Sequence, residues 1–211
     1  MAGAFITLEG LEGVGKSTCL AAVERTLNAA GHRVVVTREP GGTPLGERIR
    51  AWILDADHGR LSADTEALLM FAARAHHLDA VIRPALAEGR WVVCDRFTDA
   101  TIAYQGGGRG ADPGWLGALT AGVQRGLEPS LTLLLDAPVE VGFARISDRT
   151  PDHFEREDRA FFERVRAAYL ELARRHPARI KVIDAARPVE AVRRQVRGAL
   201  TDFTRAFTAS A

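Results

Sequence analysis

The run Gly10-Leu11-Glu12-Gly13-Val14-Gly15-Lys16-Ser17 constrains this chain more than any other feature. It satisfies the spacing G-x-x-x-x-G-K-[ST] at every position. Its flanks agree: Ala4–Glu9 reads as a buried strand and Ser17–Ala30 as a helix, so the glycines fall at a strand-to-helix turn. Such a turn aims backbone N–H groups and a helix N-terminus at one point, which suits phosphate oxygens. The motif's lysine, here Lys16, then reaches the β- and γ-phosphates, and the Ser17 hydroxyl serves Mg²⁺. The chain holds 26 arginines but only two lysines, Lys16 and Lys181. A lysine is kept where the planar fork of arginine would not enter a tight loop. The loop from Gly10 to Ser17, with Thr18 after it, is the expected nucleotide-binding segment.

Five short apolar runs recur along the chain: Ala4–Glu9, Arg33–Arg38, Arg90–Asp95, Leu131–Asp136 and Ile180–Asp184. They are nearly continuous in apolar residues, as in strands covered on both faces. Helices are predicted at Ser17–Ala30, Pro44–Leu54, Asp64–Glu88, Pro113–Arg125, Pro138–Ser147, Glu155–Arg175 and Pro188–Phe207. The alternation predicts an α/β fold: a doubly wound, five-stranded parallel sheet flanked by helices, as in phosphate-loop kinases. Ligands in such sheets bind beyond the carboxyl ends of the strands. Those ends carry Glu9, Arg38-Glu39, Asp95-Arg96, Asp136 and Asp184.

At 211 residues, one domain spanning 1–211 with a short lid is expected. The net charge of +1 gives no electrostatic footprint for nucleic acid. No stretch of 18 apolar residues predicts a membrane span, and no secretory signal is visible. Cys19 and Cys94 read as buried thiols of a reduced, cytoplasmic protein.

A phosphate loop does not by itself separate kinases, GTPases, motors and nucleotide sensors. The guanine-reading N-K-x-D pattern is absent, because Asn28, the only asparagine, is followed by alanine. Asp95 ends an apolar run, where an acid either holds the Mg²⁺ shell or caps a turn. Asp136 has the same form but precedes Ala137-Pro138 and reads first as the start of a helix.

Four further segments, Thr37-Arg38-Glu39-Pro40-Gly41-Gly42-Thr43, Phe71-Ala72-Ala73-Arg74, Asp95-Arg96-Phe97 and Ala103-Tyr104-Gln105-Gly106-Gly107-Gly108-Arg109-Gly110, resemble bacterial thymidylate kinases in order and spacing. So does Tyr169-Leu170-Glu171-Leu172-Ala173, and the resemblance covers roughly residues 4 to 200. It implies transfer of the γ-phosphoryl of ATP to dTMP, giving dTDP and ADP, with Mg²⁺. It implies that Phe71 stacks on thymine and Arg74 bonds its O4, although Phe71 alone would read as core. Arg38 and Arg96 are implied at the acceptor phosphate, against the alternative of ion pairs with Glu39 or Asp95. Thr101 is implied to read thymine N3 and Gln105 to lie near the base, with Tyr104 against the sugar where a ribose 2′-hydroxyl would sit and Glu12 near the 3′-hydroxyl.

Some relatives carry an arginine where this chain has Gly13; others supply arginines from a lid. With Arg145, Arg149 and Arg156 in segment 143–157, this chain resembles the lid-arginine group, although Ser147 and His153 stand where relatives often carry arginine. Arg149 is expected at the transferring phosphate and Arg145 on the adenine or phosphate side. An arginine restored at Gly13 is expected to substitute for Arg149. The catalytic set is therefore Lys16, Asp95, Arg96, Arg145 and Arg149, with Ser17 and Asp95 toward the metal. The Gly106–Gly110 loop is expected to be flexible. The resemblance also implies a homodimer. Two other readings remain open: a kinase for another nucleoside monophosphate or a deoxynucleoside, and a non-catalytic nucleotide-binding regulator.

Overall fold

The computed structural model describes residues 3–55, 59, 61–146 and 153–209. Its five strands are β1 (Phe5–Glu9), β2 (Val34–Arg38), β3 (Trp91–Asp95), β4 (Leu131–Asp136) and β5 (Ile180–Asp184). They form one parallel sheet in the order β2-β3-β1-β4-β5. The central strands β1, β3 and β4 are buried along nearly their whole length, as their unbroken apolar runs require. The edge strands are less covered: Val36 is 37% and Val182 47% exposed. Register brings the strand ends together, with Asp95 opposite Leu8 on one side and Arg38 on the other.

Helices α1 (Lys16–Ala29) and α2 (Pro44–Leu54) follow β1 and β2. Thr43 starts α2 by accepting from the Gly46 N–H at 3.0 Å, with Pro44 in the first turn. The helix predicted over Asp64–Glu88 is instead three pieces: α3 (Ala63–His77), a π-helical turn (Leu78–Ile82) and α4 (Arg83–Ala87). Pro84 lacks an N–H to donate and its ring crowds the preceding turn, so the ladder widens before it.

The largest departure from the sequence prediction lies between Thr98 and Gly108. A turn of helix, α5 (Thr98–Thr101), continues as a π-helix over Ile102–Gly108, where no helix was predicted. β-branched residues and three successive glycines are poor helix formers, which hid it. The glycines serve a close approach. A Cβ on Gly107 would stand 2.6 Å from the Ala168 Cβ, and one on Gly108 2.4 Å from the Phe161 ring. Both neighbours belong to α8 (Arg159–Arg175), whose contact with this segment is among the most extensive in the fold.

Before α8 come α6 (Pro113–Gln124) and the short α7 (Val139–Ala144); α9 (Val189–Ala209) follows β5. α8 starts at Arg159 rather than Glu155, because Asp158 caps it by accepting from the Phe161 N–H at 2.7 Å. Residues 155–157 are thereby left in a turn beside the carboxyl ends of the strands. Cys19 and Cys94 are both buried and free, as expected. No helix among the described residues is long and apolar enough to cross a membrane.

Candidate active site

The glycine-rich run closes the turn from β1 into α1, and Gly10, Gly13 and Gly15 all adopt positive φ. Gly15 stands at the N-cap with no side-chain cap, so the first N–H groups of α1 are free to face an anion. The Lys16 ammonium donates to the Leu11 carbonyl at 2.6 Å and the Gly10 carbonyl at 3.0 Å. Burial, reinforced by the Arg96 charge, pulls its pKa down to about 8. The side chains of Leu11 and Val14 belong to the core, so these two residues present only backbone to the loop's concave side.

The Lys16 environment makes a pH prediction. Nucleotide phosphates favour the ammonium and raise its pKa, so their attraction is complete below pH 8 and weakens as pH rises through that value. Calorimetric titration of ATP near pH 9, in buffers of different ionisation enthalpy, should show proton uptake. Lys16→Met should abolish it. Uptake that persists in Lys16→Met would assign the proton elsewhere, Glu9 being the obvious group.

Position 13 corrects one expectation. A Cβ there would meet the Gly142 carbonyl oxygen of α7 at 2.0 Å, at φ +72. The loop backbone lies directly on α7, and an arginine cannot enter without moving one of them. Gly13→Arg is therefore expected to destabilise the protein rather than to restore activity. Gly13→Ala alone should lower Tm by at least about 2–4 °C, the shift for roughly 1 kcal/mol in a chain of this size. An unchanged Tm would show that the contact yields cheaply.

Beside the loop, Arg96 leaves the end of β3 with a left-handed backbone, φ +68, unusual for a non-glycine residue and a mark of a constrained site. Its Nη2 donates to Glu12 Oε1 at 2.6 Å, and its guanidinium lies 4.6 Å from the Tyr104 ring centroid. The Tyr104 hydroxyl donates to the same carboxylate at 2.7–2.8 Å. Burial alone would raise the Glu12 pKa, but Arg96, Lys16 and Tyr104 outweigh it and hold the group below the usual carboxylate range. Behind this triad Glu9 accepts from the Phe97 N–H at 2.7 Å and from the Tyr169 hydroxyl at 2.8 Å, fixing the turn that carries Arg96. Burial and neighbouring Asp99 push the Glu9 pKa up to about 8.

Loop, triad and a deeper pocket line one cleft of about 440 Å³. Arg74 sits in its wall, 2% exposed. Its Nε donates to Glu39 Oε2 at 2.7 Å and its Nη2 to Thr101 Oγ1 at 2.9 Å, while Nη1 is buried without a partner. Asp95 Oδ1 is likewise buried and unpartnered. Buried polar atoms left over in this way point to a missing ligand. Thr101, Tyr104, Gln105, Ser17 and Thr18 also line the cleft. Arg38 lines it too, but pairs with Glu47 at 2.8 Å rather than with Glu39 or Asp95. Both partners are about half exposed, so that pair is weak and exchangeable.

Phe71 does not line the cleft. It packs with Ala67, Ala111 and Leu116, and its ring lies 4.7 Å beneath the Arg74 guanidinium. The residue that faces the cleft one position earlier on α3 is Met70. Phe71 and Arg74 do share a helical face, but the ring supports the arginine. Sequence reasoning also missed Arg50, which lines the cleft from α2, and Glu39, which holds Arg74 and is itself held by His77 Nδ1 at 3.0 Å. Arg50 lies in the second turn of an amphipathic helix that starts with Pro44, and only its tertiary position marks it.

Toward α7, Arg145 Nη1 donates to the Ala185 carbonyl at 3.0 Å and approaches the Gly13 carbonyl at 3.5 Å, and the residue lines the cleft. Arg149 lies outside the described residues. Asp136 does not start a helix, since α7 is capped at Pro138; it takes a two-pronged pair from Arg166 at 2.7 and 2.8 Å. Arg109 is not on a flexible loop: its side chain is 2% exposed and paired with Glu66 and Glu157.

A parallel sheet of this order, a glycine loop with its lysine on the first strand, and an arginine-lined cleft at the strand ends define a phosphate-loop nucleotide-binding protein with room for a second ligand. The thymidylate kinase family profile matches residues 8–196. A thymidylate kinase of Methylococcus capsulatus is 59% identical over 191 residues, 90% of this chain and 91% of that one. One of Bordetella petrii is 54% identical over 199 residues, 94% and 95% of the two chains. The crystal structure of the thymidylate kinase from Ehrlichia chaffeensis superposes with a TM-score of 0.77 at 32% identity, covering 95% of this chain and 99% of that one. The chain belongs to the thymidylate kinase family.

Proposed function

We propose that this chain transfers the γ-phosphoryl group of ATP to dTMP, giving dTDP and ADP, within a single nucleoside monophosphate kinase domain spanning 1–211. The observation that carries the reading is the unpartnered Nη1 of buried Arg74, in a cleft continuous with the phosphate loop. It is a fixed donor waiting for an acceptor such as the O4 of thymine.

The acceptor phosphate has a second pKa of about 6 and is already an anion at neutral pH. No general base is required, and catalysis rests on positioning and charge neutralisation. Lys16, held at the loop, meets the β- and γ-phosphates of ATP. Arg96 and Arg38, with Arg50 beside them, receive the phosphate of dTMP at the ends of β3 and β2. Arg74 and Thr101 face the base, with Gln105 and Met70 in the same wall. Tyr104, tied to Glu12, closes the space a ribose 2′-hydroxyl would need.

Mg²⁺ suits this donor set, since it keeps most of its water and takes one or two protein oxygens besides phosphate. Ser17 and Asp95, the latter with its orphaned Oδ1, would hold it, and it would neutralise charge on the phosphates. Gly13 leaves the loop without an arginine, which supports supply from segment 143–157 acting as the lid: Arg145 at its base and Arg149 toward the transferring phosphate. A cytoplasmic homodimer is the assembly this family reading favours, with no membrane or nucleic-acid partner. Coupled ADP-release assays with and without dTMP test the reading. ADP release that ignores dTMP would leave a hydrolase or regulator instead.

A further inference from the structure

A buried polar chain runs from the acceptor wall toward α8, and nothing in phosphoryl transfer requires it. Gln105 is 1% exposed and lines the cleft. Its Nε2 donates to Glu66 Oε2 at 3.0 Å. A carboxylate only accepts, so the amide nitrogen is the end that must face Glu66, and the carbonyl oxygen is turned away. That oxygen has no side-chain partner among the described residues.

Glu66 cannot shift to suit another rotamer. It is 0% exposed in the first turn of α3. Arg109 Nε reaches both its oxygens, at 3.0 and 3.2 Å, and Arg109 Nη2 pairs with Oε1 at 3.0 Å. Arg109 is itself pinned by Glu157 and by the Phe161 ring, 4.9 Å from its guanidinium. The acceptor wall therefore presents one fixed donor, Arg74 Nη1, and one fixed acceptor, Gln105 Oε1.

We propose that Glu66 is a positioning residue that sets base selectivity by locking the Gln105 carboxamide with its carbonyl toward the acceptor base. The proposal rests on the thymidylate reading. A thymine edge offers O4 as acceptor and N3–H as donor, matching that pair. A cytosine edge offers its amino group as donor and N3 as acceptor, opposing both. Thr101 cannot impose the same distinction, because its hydroxyl already accepts from Arg74 and keeps a rotatable proton. Sites that leave buried polar groups unpaired reject the wrong ligand strongly, by up to about 10⁴–10⁵.

The test compares kcat/KM for dTMP and dCMP in wild type, Glu66→Gln and Glu66→Asp, each alone and combined with Gln105→Ala. A glutamine at 66 can present either end and releases the lock. An aspartate keeps the charge toward Arg109 but withdraws from Gln105, so it serves if the glutamine variant folds poorly. Both should lower the dTMP-to-dCMP ratio at least tenfold, through KM for the monophosphate, with KM for ATP unchanged. In the Gln105→Ala background the same changes should alter the ratio less than twofold, because Glu66 acts through Gln105. An intact ratio in both variants, or an equal fall without Gln105, overturns the proposal and leaves Glu66 a structural residue. A wild-type enzyme inactive on dTMP would instead sink the functional reading, so the two failures are distinct.

Discussion

Replacing Lys16 by alanine is expected to lower dTMP-dependent ADP formation about 10²–10³-fold, the usual loss for a donor aimed at developing charge. The side chain has no other cation in the loop to replace it, since Gly10 to Gly15 carry none. Lys16→Arg should fail nearly as badly. The ammonium sits within 3.0 Å of two loop carbonyls, a space that a planar five-donor fork does not fit. Steady-state kinetics at saturating ATP and dTMP, with a melting curve for each variant, separates lost catalysis from lost folding. A variant that keeps more than about a tenth of wild-type turnover, a change below about 1.4 kcal/mol, would contradict this account of the loop.

Arg96→Ala is expected to cost as much, about 10²–10³ in kcat/KM for dTMP, because it removes the cation proposed to meet the acceptor phosphate at the end of β3. It also strips Glu12 of its closest counter-charge and leaves a carboxylate pointing at the incoming anion. The backbone supplies a control. At φ +68 alanine is strained and glycine is not, so Arg96→Gly should melt higher than Arg96→Ala while losing the same activity. Arg96→Lys keeps the charge but not the fork, and should recover only part of the rate. Activity that follows Tm across these three variants would make Arg96 a structural residue.

How much of this was legible in the sequence depends on the kind of signal. The loop was, because its chemistry is local: six residues of turn need fixed glycines and a lysine at fixed spacing. The five strands were, because burial on both faces leaves an unbroken apolar run, although Val36 and Val182 show that the same run can also mark an edge. The helix over Thr98–Gly108 was not, since its glycines answer to packing against Phe161 and Ala168 rather than to backbone propensity. Spacing placed Phe71 and Arg74 on one face of α3, correctly. It could not say which side of the arginine the ring would occupy, and Met70 faces the cleft instead. Arg109 looked like a loop residue because neither of its partners, Glu66 and Glu157, lies near it in the chain. Long-range ion pairs of this sort leave no periodic trace.

The most direct measurement of the central claim is ADP release by the wild-type protein with ATP and Mg²⁺, alone, with dTMP and with dCMP. The account predicts little release with ATP alone. With dTMP it predicts rapid release, one dTDP appearing for each ADP, and with dCMP far slower turnover. Release at one rate in all three mixtures would contradict it, because Arg74, Thr101 and Gln105 would then read no base and the cleft beside the phosphate loop would serve no acceptor.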